Sequence, residues 1–326
     1  MDQTEGDLLD EDDDDDDPGS VDTLNAFAYA LTPDHFVSFR REGPALLVSF
    51  EIETDPAIAL KSRRSRLAGL VEDMAWSHLV VTSRRPSLFR APEIVTFFDA
   101  LVDGTLLDQF DDVLFYGEGC GGHAALSYAL AAPMSRILAI APLVGLDGAG
   151  PVDDPRLGLP EGAQVGGRYA PDTASLAVAA AVHLVLDPAQ PQDLAQAGAV
   201  AGERVQPLFV RDPGAPLPAA LAELGILDEI IGMAMEGSLD GPSFYGTLRK
   251  ARRDDPAYLR RLTARLIEKN RLLLEALAVR NVAERTGRKR FAKRLEHLEA
   301  RLAEQGQTLP PARSRPVDRA PGGSAT

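Results

Sequence analysis

The sequence predicts an α/β fold: a mainly parallel sheet with helices on both faces, followed by a helical C-terminal region. Three observations point to it. Short β-rich runs alternate with helical patterns between residues 35 and 212. Some of those runs, such as RILAIAP (136–142), are continuously apolar, as strands covered on both faces must be. Beyond Pro213 the strand signal stops, and 217–235 and 256–305 carry helical patterns instead.

The elements follow in order. Residues 1–20 hold eleven Asp and Glu, including the unbroken run Asp12–Asp17, and no Lys or Arg. Such a segment cannot bury apolar surface, so 1–21 is expected to be a disordered, solubilising tail. It lacks the spaced ligands and turn glycine of a calcium loop. HFVSFRRE (35–42) and ALLVSFEIE (45–53) flank Glu42-Gly43-Pro44 and predict an antiparallel hairpin. Residues 57–74 read as helix, and WSHLVVTS (76–83) as a third strand. Pro92 suits the first turn of a helix, PEIVTFFDALVDG, that puts Phe97, Phe98 and Leu101 on one face.

A buried strand over Val113–Tyr116 comes next, then a turn packed with glycine, then a helix of small and apolar residues. Residues 145–170 are rich in Gly, Pro and Asp and read as a long excursion, of the kind that shapes a site above a strand end. Asp172 suits the cap of a helix in DTASLAVAAA. VHLVLD (182–187) and VQPLFV (205–210) are strands, with a helix near 191–200 between them. The α/β domain is therefore expected over 22–215.

The C-terminal region, 216–305, is expected to be helical. Asp255-Pro256 is a cap followed by proline at the first helical position. Tyr258, Leu262, Leu266, Leu273 and Leu277 form one apolar stripe; Leu295, Leu298 and Leu302 form a second, with a bend at Thr286-Gly287. Residues 306–326 hold four prolines and read as a disordered tail.

Charge divides the chain. Residues 1–244 carry 14 Lys/Arg against 40 Asp/Glu, whereas 245–326 carry 20 against 9. A basic helical end on an acidic body suits a clasp within the chain, a homo-oligomer through the C-terminal helices, or a solvated arginine-rich face. Nucleic acid is not expected, because the acidic body opposes a polyanion and only Phe291 interleaves Arg288, Lys289, Arg290, Lys293 and Arg294. One cysteine, Cys120, excludes an internal disulfide framework. No apolar run approaches the ~18 residues of a membrane span, and the acidic N-terminus is not a signal peptide, so a cytoplasmic protein is expected.

Chemistry concentrates in FYGEGCGGHAAL (115–126). Gly117, Gly119 and Gly122 spell G-x-G-x-x-G, the dinucleotide fingerprint. That frame normally sits on a first strand with an acid about 20 residues on. Here three strand runs precede it, and the next strand ends in Ile140-Ala141-Pro142. Gly117 and Gly121 also flank Gly119 as in a nucleophile elbow, G-x-S-x-G, with glycine in the serine's place.

Residues 35–212, a little over half the chain, resemble the α/β-hydrolase fold in this second frame. The resemblance implies a triad acid after a later strand, which Asp187 matches, and a histidine after the last strand. There the chain reads Arg211-Asp212-Pro213, and the only histidine beyond Asp187 is His297. The stretch is also similar to bacterial proteins with this degenerate elbow that carry a phosphoadenosine-phosphosulfate reductase label. The chain has neither the S-G-G-x-D-S loop nor the E-C-G-x-H tail of that chemistry.

Two side chains offer an alternative nucleophile system. Cys120 opens the helix, where the dipole lowers a thiol pKa, and His123 follows at i+3. The resemblance implies instead that Cys120 lends its backbone N–H to an oxyanion hole while its side chain packs. Glu118 is expected near the C-terminal sheet edge as an acid, a ligand contact or a brace of the turn. His78 and His183, within strands, are expected to be satisfied core residues. The histidines share no metal-ligand spacing, so no metal and no cofactor are expected. The reading is a degenerate α/β-hydrolase-fold protein that binds a small molecule or protein at Gly117, Glu118, Gly119, Gly121 and Gly122. The alternatives are a hydrolase or acyltransferase using Cys120, with His123 and Asp187, and a dinucleotide-binding oxidoreductase through Gly117, Gly119 and Gly122.

Overall fold

The alternating β-rich and apolar runs form one eight-stranded sheet in the computed structural model, which describes residues 25–54, 65–143, 167–171 and 173–311. Its strands are β1 (Ala26–Ala30), β2 (His35–Arg40), β3 (Ala45–Ile52), β4 (Ser77–Ser83), β5 (Asp112–Glu118), β6 (Arg136–Ile140), β7 (Ala181–Leu186) and β8 (Val205–Phe209). Their order is β1-β2-β4-β3-β5-β6-β7-β8, and β2 alone runs against the rest. This is the mainly parallel α/β sheet expected from the sequence.

The expected hairpin is not formed. β2 pairs with β1 and β4, while β3 lies on the far side of β4 and runs parallel to it. Glu42-Gly43-Pro44 instead crosses the start of β4. The Ser77 hydroxyl donates to the Gly43 carbonyl at 2.8 Å and accepts from Glu42 N–H at 2.9 Å. Two strands with a turn between them predict adjacency only when no later strand inserts, and here α1 (Ala68–Asp73) returns β4 into the gap. β1 escaped the pattern because AFAYA is an exposed edge strand with no alternation of burial.

Side chains alternate between two layers. Leu46, Val48 and Phe50 of β3 face α2 (Pro92–Asp103) and α3 (Cys120–Tyr128), joining Phe97, Phe98 and Tyr128. Leu47, Leu114, Tyr116 and Leu138 face the other way, against Leu67, Val71 and Trp76 around α1. Between β6 and β8 lie α4 (Thr173–Leu176) and α5 (Pro191–Ala199). The excursion over 145–170 falls largely outside the described residues, as do the N-terminal tail, Asp172 and most of the C-terminal tail.

The chain divides into two units, one through Ala251 and one from Arg252. The first therefore extends past residue 215. α6 (Leu217–Glu223), α7 (Leu227–Glu236) and α8 (Gly241–Asp254) bury Leu221, Ile230, Ile231, Phe244 and Leu248 in the same cluster as Tyr116 and Leu138. An apolar helical stripe cannot by itself announce that a sheet face is its partner.

The second unit contains α9 (Pro256–Glu268), α10 (Leu272–Thr286) and α11 (Lys289–Glu304). Asp255 caps α9 by accepting from Tyr258 N–H, and Gly287 (φ 61°) makes the α10–α11 bend. Leu298 and Leu302 pack on Leu272, Ala276 and Val279, as the second stripe predicts. The first stripe is broken: Asn270 (φ 50°) ends α9, no residue of α9 is buried, and Leu273 is exposed. The carboxylate of Glu275 is buried and takes two bonds from Arg294, Nε at 3.1 Å and Nη2 at 2.5 Å.

Under β5 the aromatic stack is tight, with Phe98 4.0 Å from Tyr128 at 19° and Phe50 5.9 Å from Phe98. Removing the Phe98 ring empties a fully buried site. Phe98→Ala is expected to lower unfolding free energy by about 3–5 kcal/mol in urea titrations of the first unit. A loss under ~1 kcal/mol would mean that the layer collapses around the gap.

Candidate functional site

The site is built on the turn from β5 into α3. Gly119 sits between them at φ 52° and ψ −112°, a region that side-chain-bearing residues enter only with strain. Its N–H donates to the Ile140 carbonyl at 2.9 Å. Its carbonyl accepts from His123 N–H at 3.1 Å and Leu143 N–H at 3.2 Å. The chain thus makes a sharp strand-to-helix turn with only hydrogen at its apex.

The flanking glycines are required by close approach. A Cβ on Gly117 would stand 2.1 Å from the Gly121 carbonyl oxygen, and one on Gly121 would stand 2.4 Å from that of Phe50. A Cβ on Gly122 would meet Pro142 Cβ at 2.9 Å. Each glycine of the G-x-G-x-x-G spelling thus has a packing or backbone reason within the fold itself.

Glu118 braces the turn. Arg66 donates to it from both ends of its guanidinium, Nη1 to Oε2 at 3.0 Å and Nη2 to Oε1 at 2.5 Å, and the Tyr116 hydroxyl donates to Oε1 at 2.5 Å. Burial and the neighbouring carboxylate raise the Tyr116 pKa well above its ordinary value, so the hydroxyl stays a donor. Glu51, on the next strand, accepts from the Ser65 hydroxyl at 2.6 Å, Arg66 N–H at 3.3 Å and the Ser49 hydroxyl at 2.9 Å. The pairing Phe50↔Gly117 puts Glu51 and Glu118 one step further along neighbouring strands, where two carboxylates repel. Arg66 and Ser65 offset that repulsion. Because Ser49 donates to Glu51, His78 donates its Nε2–H to Ser49 Oγ at 2.9 Å.

The three residues expected to carry catalysis lie in separate hydrogen-bond settings. Cys120 is a buried free thiol. His123 is fully buried; its Nδ1–H donates to the Leu143 carbonyl at 2.9 Å, while Nε2 has no hydrogen-bond partner among the described residues. The thiol and the imidazole are therefore not hydrogen-bonded to each other. Burial pushes the His123 pKa down to about 4, with the Leu143 bond opposing and Arg90 adding to the shift. Asp187 follows β7 directly, but its Oδ1 accepts from Ala189 N–H at 2.9 Å, closing a local turn, and its own N–H donates to Asp193. No histidine is bonded to it. Asp212, where the histidine would stand, has φ 58°. His183 Nε2–H donates to the Leu239 carbonyl at 2.8 Å, and His297 is exposed on α11. Among the described residues no three His, Cys, Asp or Glu side chains converge as a metal site requires, and no helix is long and apolar enough to cross a membrane.

Arg66, Tyr116, Glu51, Ser49 and His78 form the part of the site that sequence reading did not assemble. Its signal was present in the strand period: Ser49 and Glu51 alternate with Leu47, and Glu118 follows Tyr116 by two residues. Arg66 comes from a different connection and had no such signal.

No protein-family model and no curated protein matches the sequence. Solved structures of esterases and acyltransferases show similarity. A carboxylesterase, EstE1, from a metagenomic library is 14% identical, with a TM-score of 0.42, over 66% of this chain and 89% of that one. Carboxyl esterase 2 from Tuber melanosporum is 15% identical, with a TM-score of 0.41, over 66% and 87%. The capsule O-acetyltransferase of Neisseria meningitidis serogroup A is 10% identical, with a TM-score of 0.39, over 61% and 92%.

Two measurements test this geometry. Gly117→Ala drives a Cβ into backbone and is expected to cost about 3 kcal/mol or more. Gly104→Ala, at φ −91° and ψ −169°, should stay within ~0.5 kcal/mol. Equal urea midpoints for the two would refute the close approach. The second concerns pH. Burial, with help from Arg40, holds His78 at about 3, and His123 lies at about 4, both below the unfolded ~6.5. Between those values the unfolded chain binds protons that the folded chain excludes, so stability is lost as pH falls below ~6.5. Each ring is expected to contribute ~2 kcal/mol of loss between pH 7.5 and 5. His78→Gln should reduce that loss; an identical pH slope in the variant would show that His78 titrates normally.

Proposed function

We propose that this protein is a catalytically degenerate member of the α/β-hydrolase fold and acts as a binding module for a small molecule or protein at the elbow. One observation carries the reading: glycine occupies the apex of an elbow whose backbone is still bent as if to present a nucleophile. Acyl transfer through such a turn needs a side chain that attacks and a base that takes its proton. Here the apex offers hydrogen. Asp187 closes its own turn, and the His123 proton is committed to Leu143. What the turn retains is shape: a rigid backbone edge flanked by Glu118, which Arg66 and Tyr116 hold in one orientation. A ligand would meet this edge and the exposed guanidinium of Arg66, whose side chain keeps 55% of its surface accessible.

A fluorophosphonate probe is expected not to label the protein, and simple acyl esters should turn over no faster than with heat-denatured protein. Gly119→Ser should restore no turnover, because no histidine is bonded to Asp187. Iodoacetamide should alkylate Cys120 slowly, with no acceleration below the ordinary thiol pKa of ~8.5. Fluorophosphonate labelling of the native chain would overturn the reading. Rapid alkylation at pH 6, together with ester turnover abolished by Cys120→Ala, would replace it with a cysteine enzyme.

A further inference from the structure

The two edges of the sheet are finished differently. β8 carries Pro207, which has no N–H to offer, and its Phe209 N–H donates to the Tyr245 hydroxyl of α8 at 2.9 Å. Both features blunt an edge against further pairing. β1 has neither: AFAYA holds no proline and no charge, and every residue except the partly buried Phe27 is exposed. Register shows what this edge presents. Arg41 N–H donates to the Asn25 carbonyl at 2.8 Å and Leu31 N–H to that of His35 at 2.9 Å, while β1 pairs with β2 from Ala26↔Arg40 to Ala30↔Phe36. Bonded and non-bonded residues alternate along an antiparallel ladder. Phe27 and Tyr29 therefore turn their backbone N–H and C=O groups to β2, and Ala26, Ala28 and Ala30 turn theirs outward. Among the described residues no strand pairs with those three alanines.

We propose that a second copy of this chain pairs with the edge, β1 against β1 antiparallel, about a two-fold axis at Ala28. Residue pattern and charge select a second copy. AFAYA is palindromic in residue class, so each Ala28 faces its own counterpart, Ala26 faces Ala30, and Phe27 faces Tyr29 across the axis. The alanines then make the hydrogen-bonded pairs, each outward N–H meeting a C=O. Phe27 and Tyr29 fall in the non-bonded pairs, where side chains approach most closely. An aromatic row already crosses this face, with Phe39 and Phe27 5.3 Å apart and Phe27 and Tyr29 5.7 Å apart. It ends at Tyr29, which is 42% exposed and which the second copy covers. Residues 23–33 carry no charge in a chain of net charge −15, so two like-charged copies meet where repulsion is least.

Sedimentation velocity of the full chain over a concentration series tests this. The unmodified chain is expected to shift from monomer to dimer mass as concentration rises. Ala28→Pro removes an N–H that β2 does not use, and Ala28→Lys or Ala28→Glu sets like charges opposite each other at the axis. Each variant alone should hold the chain at monomer mass. Mixing the Ala28→Lys and Ala28→Glu chains should restore dimer mass, because opposite charges then face each other. That rescue keeps the test decisive if Ala28→Pro fails to fold. An unmodified chain that stays monomeric at every concentration would overturn the proposal, the edge then being covered from within the chain or by a different partner. A dimer that survives both Ala28→Lys and Ala28→Glu would place the interface elsewhere and overturn it too. So would a mixture of the two variants that remains at monomer mass.

Discussion

The turn between β5 and α3 depends on backbone meeting backbone without side chains between. Gly117 lies against the Gly121 carbonyl, Gly121 against that of Phe50, and Gly122 against Pro142. These contacts draw α3 down onto β3 and β6 and so fix the height of the whole helical layer above the sheet. The aromatic stack of Phe50, Phe98 and Tyr128 fills the space that results. A single methyl group at Gly117 would lift the helix and open that stack. The turn is thus a packing device.

The polar residues around the turn obey the same economy of space. Parallel strands β3 and β5 end together, so Glu51 and Glu118 emerge side by side at the sheet's C-terminal edge. Two neighbouring carboxylates are tolerated only with enough donors, and Ser49, Ser65, Tyr116 and Arg66 supply them. This commits Glu118 to orientation. A carboxylate that accepts two bonds from a guanidinium and one from a phenol is held in one orientation. His123 is likewise committed, since burial keeps it neutral and Leu143 takes its proton. Titratable groups surround the turn, and Glu51, Glu118 and His123 Nδ1 each bond to neighbouring groups.

Strand period and glycine spacing made much of this legible. The parallel strands, the helix begun by Pro92, the cap at Asp255-Pro256 and the bend at Gly287 each rest on local rules that neighbouring residues obey by themselves. A tight strand-to-helix turn at Gly119 was readable too, because a strand, a glycine cluster and a helix of small residues leave few other turns. The hairpin failed because adjacency in a sheet is settled by a strand arriving later in sequence, and β4 inserts between β2 and β3. α6 to α8 carry an amphipathic pattern that does not name the surface they bury against.

The sequence by itself determined most of the strands and helices, that glycine stands between β5 and α3, and that no histidine follows the last strand. These are matters of residue identity and local spacing, which hold whatever the chain packs against. Tertiary structure alone decided that Arg66 reaches Glu118, that His123 Nδ1 bonds to the Leu143 carbonyl, and that Asp187 closes its own turn. Each of those outcomes is a choice among hydrogen-bond partners distant in sequence or hidden by burial. Such a choice is fixed only when packing sets distances to a few tenths of an ångström and excludes the water that would otherwise satisfy every group.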